Sequence, residues 1–348
     1  LGGVDLTDGE VSLAEAVAFA NGDPDAVAAI DFDPSLSGTT IFLGGAGAIR
    51  IVSSLSIDGD IDGDGIPDIE FSADGPVGAG DAASRVVVID GGAGGADVLL
   101  NGLVIRDGAA QGSGGGIQVG AGDALTLTNS VLRDNAAEGF GGGLNGGAGA
   151  ALTLFNVAVL DNLGEDGGGG VNLSADGELA AANATFAGNA TTAATGDGGG
   201  LRASDRTDVS LTHVTITGNE ARGAFGGGGG VQSAGELLVR DSIILGNDSV
   251  VLSETEIDMA GRLEASFEGR NVVGPNLDVF DSLDIAGVES VPATLVFAAV
   301  TAAGDALAGG VADDGGGGPT VALRNDPSTN PAVNRAAQFW AWASAASP

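Results

Sequence analysis

Residues 58–70 read DGDIDGDGIPDIE, placing six carboxylates within thirteen positions. Hard carboxylate oxygens on alternate residues are the donor set that Ca²⁺ prefers. Counted from Asp60, the spacing D-x-D-x-D-G-x-x-D puts Asp60, Asp62, Asp64 and Asp68 at the first, third, fifth and ninth positions of a calcium loop. Gly65 falls at the sharp turn and Ile66 offers its carbonyl. The closing glutamate of such a loop is replaced by Phe71, with Glu70 one residue short and Asp58 just ahead of the motif. The expected ligand set is therefore Asp58, Asp60, Asp62, Asp64, Ile66, Asp68 and Glu70, with Ca²⁺ as the ion. The competing reading is a solvated acidic loop.

Three further residues could carry catalysis. Asp134 and Asp161 fall on successive repeats (below), following Arg106 on the repeat before. Stacked one strand spacing apart, about 4.8 Å, they would suit the carboxylate pair of a retaining glycosidase. The plainer reading is an exposed Arg–Asp–Asp ion ladder. His213, the single histidine, could serve as a general base, but it lies in a column of asparagines where a turn role suffices.

Composition narrows the partners. The chain has 47 acidic residues against 12 basic ones, all arginine, for a net charge of −35. That charge repels nucleic acid and anionic lipid, and it repels polyuronates unless calcium bridges them. Lyases and epimerases of acidic sugars commonly use Lys, Tyr, His or Arg, and this chain has no lysine, no tyrosine and one histidine. With no cysteine, disulfides and thiol chemistry are excluded. No apolar run is long enough to span a membrane as a helix. The chain opens on Leu1 rather than Met, so removal of an upstream segment is expected. Apolar residues make up 43% and aromatics only 4%, so a core must be assembled from Val, Ile, Leu and Ala, the materials of stacked β structure.

A repeat supplies the scaffold for these residues. The runs NGLVIRD (101–107), NSVLRDN (129–135), NVAVLDN (156–162), NATFAGN (183–189), HVTITGN (213–219) and DSIILGN (241–247) start 28, 27, 27, 30 and 28 residues apart. Glycine runs then end in Ile117, Leu144, Val171, Leu201 and Val231. Alternating segments such as LTLTN and LTLFN precede the runs with the period of a strand. A unit of about 28 residues cannot bury its own apolar face, whereas stacked copies can. The expected fold is all-β, a single-stranded right-handed parallel β-helix (solenoid). Leu125 and Leu127, Leu152 and Leu154, Val209 and Leu211, and Leu237 and Val239 would point inward. A second inward column would hold Val104, Leu132, Val159, Phe186, Ile216 and Ile244. Two polar columns are expected. One runs Asn101, Asn129, Asn156, Asn183, His213 and Asp241; the other runs Asp107, Asn135, Asn162, Asn189, Asn219 and Asn247.

The ends differ. Ser12-Leu-Ala-Glu15 is a capping-box pattern opening an apolar segment, Leu13 to Ala20, expected to form a short helix over the open end of the rod. The domain plan is one β-helix domain over 1–335, with a cap (1–40), coils (41–290) and a closing module (291–335). An apolar segment, 336–348, follows with Phe339, Trp340 and Trp342.

The segments DGEVSLAEAVAFAN, IDFDPSLSGTTIFL and LSIDGDIDGDGIPDIEF, together with GRNVVGPN and LAGGVADDGGGGPTVAL, resemble secreted bacterial β-helix proteins with a choice-of-anchor (type Q) domain. Ala14 and Val11 stand where that family usually has arginine and often cysteine. The GGGI and NSxxxxN units are also similar to repeats of chlamydial polymorphic outer-membrane proteins. The resemblance implies a right-handed β-helix, export, and attachment to or release from a bacterial cell surface; it implies no reaction. The expectation is an extracellular or cell-surface element, more structural than enzymatic, adhesive or self-assembling into oligomers or filaments through its rod ends and the Phe339–Trp342 segment. The rival expectation is a polysaccharide-active lyase, epimerase or glycosidase, or a carbohydrate-binding module.

Overall fold

The computed structural model describes residues 11–22, 28–44, 47–73, 85–223, 227–249, 259–261 and 264–274, with short strand segments from 277 to 321. The 336–348 segment and most of the 291–335 module lie outside the described residues.

The chain winds into a β-solenoid of parallel sheets with coils of about 28 residues. Each coil crosses three sheets. The broad sheet takes two short strands per coil, such as 97–101 and 103–106, fused into one in 124–133 and 151–160. A narrow sheet follows, with two residues per coil, as in 136–137 and 163–164. A second sheet completes the coil with three residues, as in 117–119 and 144–146. The second sheet runs through nine strands, which at about 4.8 Å apart gives a stack on the order of 40 Å long.

The corners explain the polar residues. Between the two halves of the broad sheet, Asn129, Asn156, Asn183, His213 and Asp241 all take positive φ, and Gly102 does so one coil earlier. At the next corner Asp107, Asp134 and Asp161 take the left-handed conformation, followed by Gly188, Gly218 and Gly246. Asn, Asp and Gly tolerate this region, so they recur wherever the chain must turn sharply.

Inside the next corner lies a buried ladder. The Asn135 side-chain amide donates to Asn162 Oδ1 (3.0 Å) and to the Ile105 carbonyl (3.0 Å), while its backbone N–H donates to the same Asn162 oxygen (3.0 Å). Asn162, Asn189 and Asn219 repeat the pattern toward Asn247. Buried amides satisfied in this way reward one register alone. Glycines allow the coils to approach: a Cβ on Gly142 would lie 2.4 Å from the Leu163 carbonyl oxygen, and one on Gly143 2.7 Å from that of Gly170.

The expected inward columns are buried: Leu125, Leu127, Leu152, Leu154, Val209, Leu211, Leu237 and Val239, together with the glycine-run residues Ile117, Leu144, Val171, Leu201 and Val231. One alignment is corrected. Asn101 pairs with Thr128, so Gly102 occupies the Asn129 corner and the repeat 102–108 opposes 129–135. The inward residue of that coil is accordingly Ile105, paired with Leu132, and not the half-buried Val104. For the same reason Asp107 belongs with Asp134 and Asp161, and Gly108, not Asp107, meets the Asn135 ladder. Strand side chains alternate faces, so a one-residue offset exchanges inside for outside.

Helix α1 (Leu13–Asn21) opens with the expected capping box: Ser12 Oγ accepts from Glu15 N, and the Glu15 carboxylate accepts from Ser12 N. It covers the edge of the second sheet. Asn21 mimics a neighbouring strand there, donating to the Arg50 carbonyl (2.8 Å) and accepting from Val52 N–H (2.9 Å).

Asn162→Ala is expected to cost about 3 kcal/mol, because it strands the buried Asn135 N–H without its acceptor. Chemical denaturation of the variant checks this. A loss no larger than that of an exposed substitution would remove the ladder from its register-setting role.

Candidate metal centre and outer ion cluster

The acidic stretch is an insertion at a corner. Strand 55–58 pairs with 97–101, and strand 69–72 with 103–106. Residues 59–68 therefore stand where the next coil has Gly102 alone. Gly59 N–H donates to the Asn101 carbonyl (2.8 Å), and Asp68 N–H closes the base on the Gly59 carbonyl (3.1 Å). Within the loop Asp62 accepts from Asp64 N–H (3.1 Å), and Asp64 from Ile66 N–H (2.8 Å). Gly63 and Gly65 supply the positive φ values that reverse the chain.

Asp60, Asp62 and Asp68 each bring a carboxylate oxygen within 4.8 Å of the others. Asp60 Oδ2 accepts from Gly65 N–H (3.1 Å), while its Oδ1 is buried without a hydrogen-bond partner. Three converging carboxylates, one of which keeps an unpartnered buried oxygen, fit a divalent cation of the calcium type. Asp68 Oδ2 also accepts from Ile61 N–H (2.8 Å). The hydrogen bond from Ser37, more than those from the loop backbone, holds the Asp68 carboxyl below its ordinary range. The charged form that a cation needs is thereby favoured.

The other expected ligands have different positions. Asp64 is outside the cluster and caps Ile66. Asp58 ends an outer amide chain in which Asn156 donates to Asn129 (2.8 Å), Asn129 to Asn101 (2.9 Å) and Asn101 to Asp58 Oδ1 (2.8 Å). Glu70 lies on the outward side of its strand and pairs with Arg106 and with Arg133 (3.2 Å). Burial pushes the Glu70 carboxyl up, but Arg106, Thr40 and Arg133 together outweigh it and hold the group below its ordinary 4.5. Ile66 is exposed on the loop.

Asp134 and Asp161 do stack on neighbouring coils, beside Arg133 and not Arg106: Arg106 pairs in register with Arg133, one residue before the Asp column. Arg133 Nη1 donates to Asp134 (2.7 Å), and Arg106 pairs with Asp107. Asp161 is exposed as a residue, yet the packing around its carboxyl and then the Asp134 charge push it up, with Arg133 opposing. His213 fills its corner with the side chain in solvent and its Nε2 4.0 Å from Asp241.

Two outer features were not anticipated from the sequence. On the second sheet, Gln118, Asn145 and Asn172 form a second amide chain, which ends on Arg202 stacked 4.8 Å over Phe140. On the broad sheet a groove of about 590 Å³ runs across several coils, with Thr153, Ala180 and Ser210 on its floor and Glu178, Asp208 and Glu236 along one wall. The signal for both was the residue following each inward position, legible once the register is known.

No protein-family model, curated protein or solved structure matches this chain. No helix among the described residues is long and apolar enough to cross a membrane.

Glu70→Gln should lower stability by about 1–2 kcal/mol at neutral pH, since it uncouples a partly buried ion cluster. Because the Glu70 pKa is depressed on folding, its contribution is present above 4.5 and fades as pH falls through the lower folded value. Thermal melts should therefore separate wild type from Glu70→Gln at pH 7 and converge well below pH 4.5. Curves that stay apart in acid would contradict the assignment.

Proposed function

We propose that the chain is a secreted or cell-surface β-solenoid with a structural or adhesive role, stiffened at its early coils by Ca²⁺ held by Asp60, Asp62 and Asp68. The observation that supports this reading is the fate of the side chains capable of chemistry. Most of the asparagines of the coils are engaged in axial ladders, and Arg106, Arg133, Arg206, Arg222 and Arg240 are ion-paired. His213 sits at a turn with no nucleophile beside it among the contacts described. Bound calcium would supply charge neutralisation, drawing the two ends of a ten-residue insertion against the rod. The resemblance to exported choice-of-anchor β-helices agrees with this role.

Calcium should raise the melting temperature of the wild type, and Asp60→Asn or Asp68→Asn should abolish the rise, because an ion bound by the native state alone stabilises it by mass action. Equal melting with calcium and with chelator would leave the loop solvated.

A second reading rests on the raised Asp161 carboxyl beside Asp134 and on the broad-sheet groove, near which Phe155 is exposed. It is a glycosidase or a glycan-binding surface. A panel of neutral and calcium-bridged polysaccharides should show neither new reducing ends nor unsaturated products. Turnover lost in Asp134→Asn or Asp161→Asn would establish the enzyme instead, and binding without turnover would mark a carbohydrate-binding module.

A further inference from the structure

Among the described residues, the N-terminal end of the rod is only half closed. Helix α1 covers the second sheet there, but the two broad-sheet strands of that level, 28–31 and 39–42, pair on one side only among the described residues, with 55–58 and 69–72. The consequence is visible one level at a time. Ile57, directly in register with Ile30, is fully buried, and Phe71, in register with Ile41, is too. Ile30, Phe32, Ile41 and Leu43 pack on the same core yet remain partly exposed. Around them Phe19 is 66% exposed, Phe42 59% and Leu36 37%. An apolar core end beside strands that pair on one side among the described residues is a surface suited to being covered.

Charge selects the occupant. Glu15 on the helix, Asp31 at the end of strand 28–31 and Asp33 just after it belong to this end, so a second N-terminal end of the same kind would meet it with like charge. Residues 336–348 of this chain, by contrast, carry no charged side chain, and they include Phe339, Trp340 and Trp342. In chain order they follow the last broad-sheet level, 282–284 and 288–290, at the opposite end of the stack, about 40 Å away by strand spacing. We propose that residues 336–348 of a neighbouring copy cover the N-terminal end, their aromatic side chains seated against Phe19, Phe42 and the open core. The contact is heterologous, so it joins rods head to tail. The inference rests on the scaffold reading above and names the surface through which such a scaffold would assemble.

The sequence provides a local probe. Both tryptophans lie in 336–348 and the chain has no tyrosine, so intrinsic fluorescence reports that segment alone. In the full chain at high concentration, emission should be blue-shifted and shielded from acrylamide. Dilution should move it to the position of the denatured chain while light scattering falls to monomer mass. The double variant Phe19→Asp/Phe42→Asp, which alters exposed side chains, should show the denatured-chain emission at every concentration with an unchanged circular dichroism spectrum. Wild-type emission already at the denatured position would overturn the proposal, and so would a blue shift indifferent to the double substitution. A blue shift that survives dilution of a monomer would overturn the neighbouring copy as occupant. Glycan turnover alongside a substitution-sensitive blue shift would sink the scaffold reading and leave the contact standing.

Discussion

Asn135, Asn162, Asn189, Asn219 and Asn247 sit fully inside the rod, joined amide to amide by four bonds from coil to coil. A primary amide both donates and accepts along one axis, so identical residues one coil apart satisfy one another. Any other register leaves several buried polar groups unpaired, at about 1–3 kcal/mol each. Hydrophobic burial drives the coils together but is indifferent to small slips among Val, Ile, Leu and Ala. The amide stack removes that freedom. The neighbouring glycines let the backbones come near enough for it to form.

With register held from within, the outer surface is free to differ from coil to coil. A corner that takes one residue in most coils takes ten at 59–68 without disturbing the strands on either side. Inserting chain at a surface corner costs mainly loop entropy, which grows slowly with length. The same freedom lets carboxylates accumulate outside at strand spacing, where they repel. Arginines relieve that repulsion locally: Arg106 and Arg133, on the two following coils, both pair with Glu70, and Arg206 holds Asp176 with two bonds, 2.6 and 2.8 Å. Asp161 has no arginine bond of its own among the described residues, and burial first and the Asp134 charge second push its carboxyl up.

Each end of the stack poses the opposite problem, since a repeat that covers its neighbour is itself uncovered at the terminus. Asn21 shows how little is needed to finish a three-residue strand: a single side-chain amide reproduces the donor and acceptor of a missing neighbour. The broad sheet has longer strands there, 28–31 and 39–42, and the nine-residue helix packs on the first of them as well as on the second sheet.

Periodicity determined that this chain stacks coils and which residues of the glycine runs and alternating segments face inward, and a capping-box motif determined that Ser12 and Glu15 start a helix. These follow from local rules repeated often enough to be read. Only the tertiary structure decided the offset at Asn101, because a 27-residue and a 28-residue spacing fit the same string and differ in which neighbour each strand meets. It likewise separated three roles inside one acidic motif. Asp60, Asp62 and Asp68 converge, Asp58 ends an amide chain, and Glu70 belongs to arginines thirty-six and sixty-three residues away. Alternating carboxylates look alike along the chain. What each one does depends on the side of the strand it leaves from and on the coil that lies beside it.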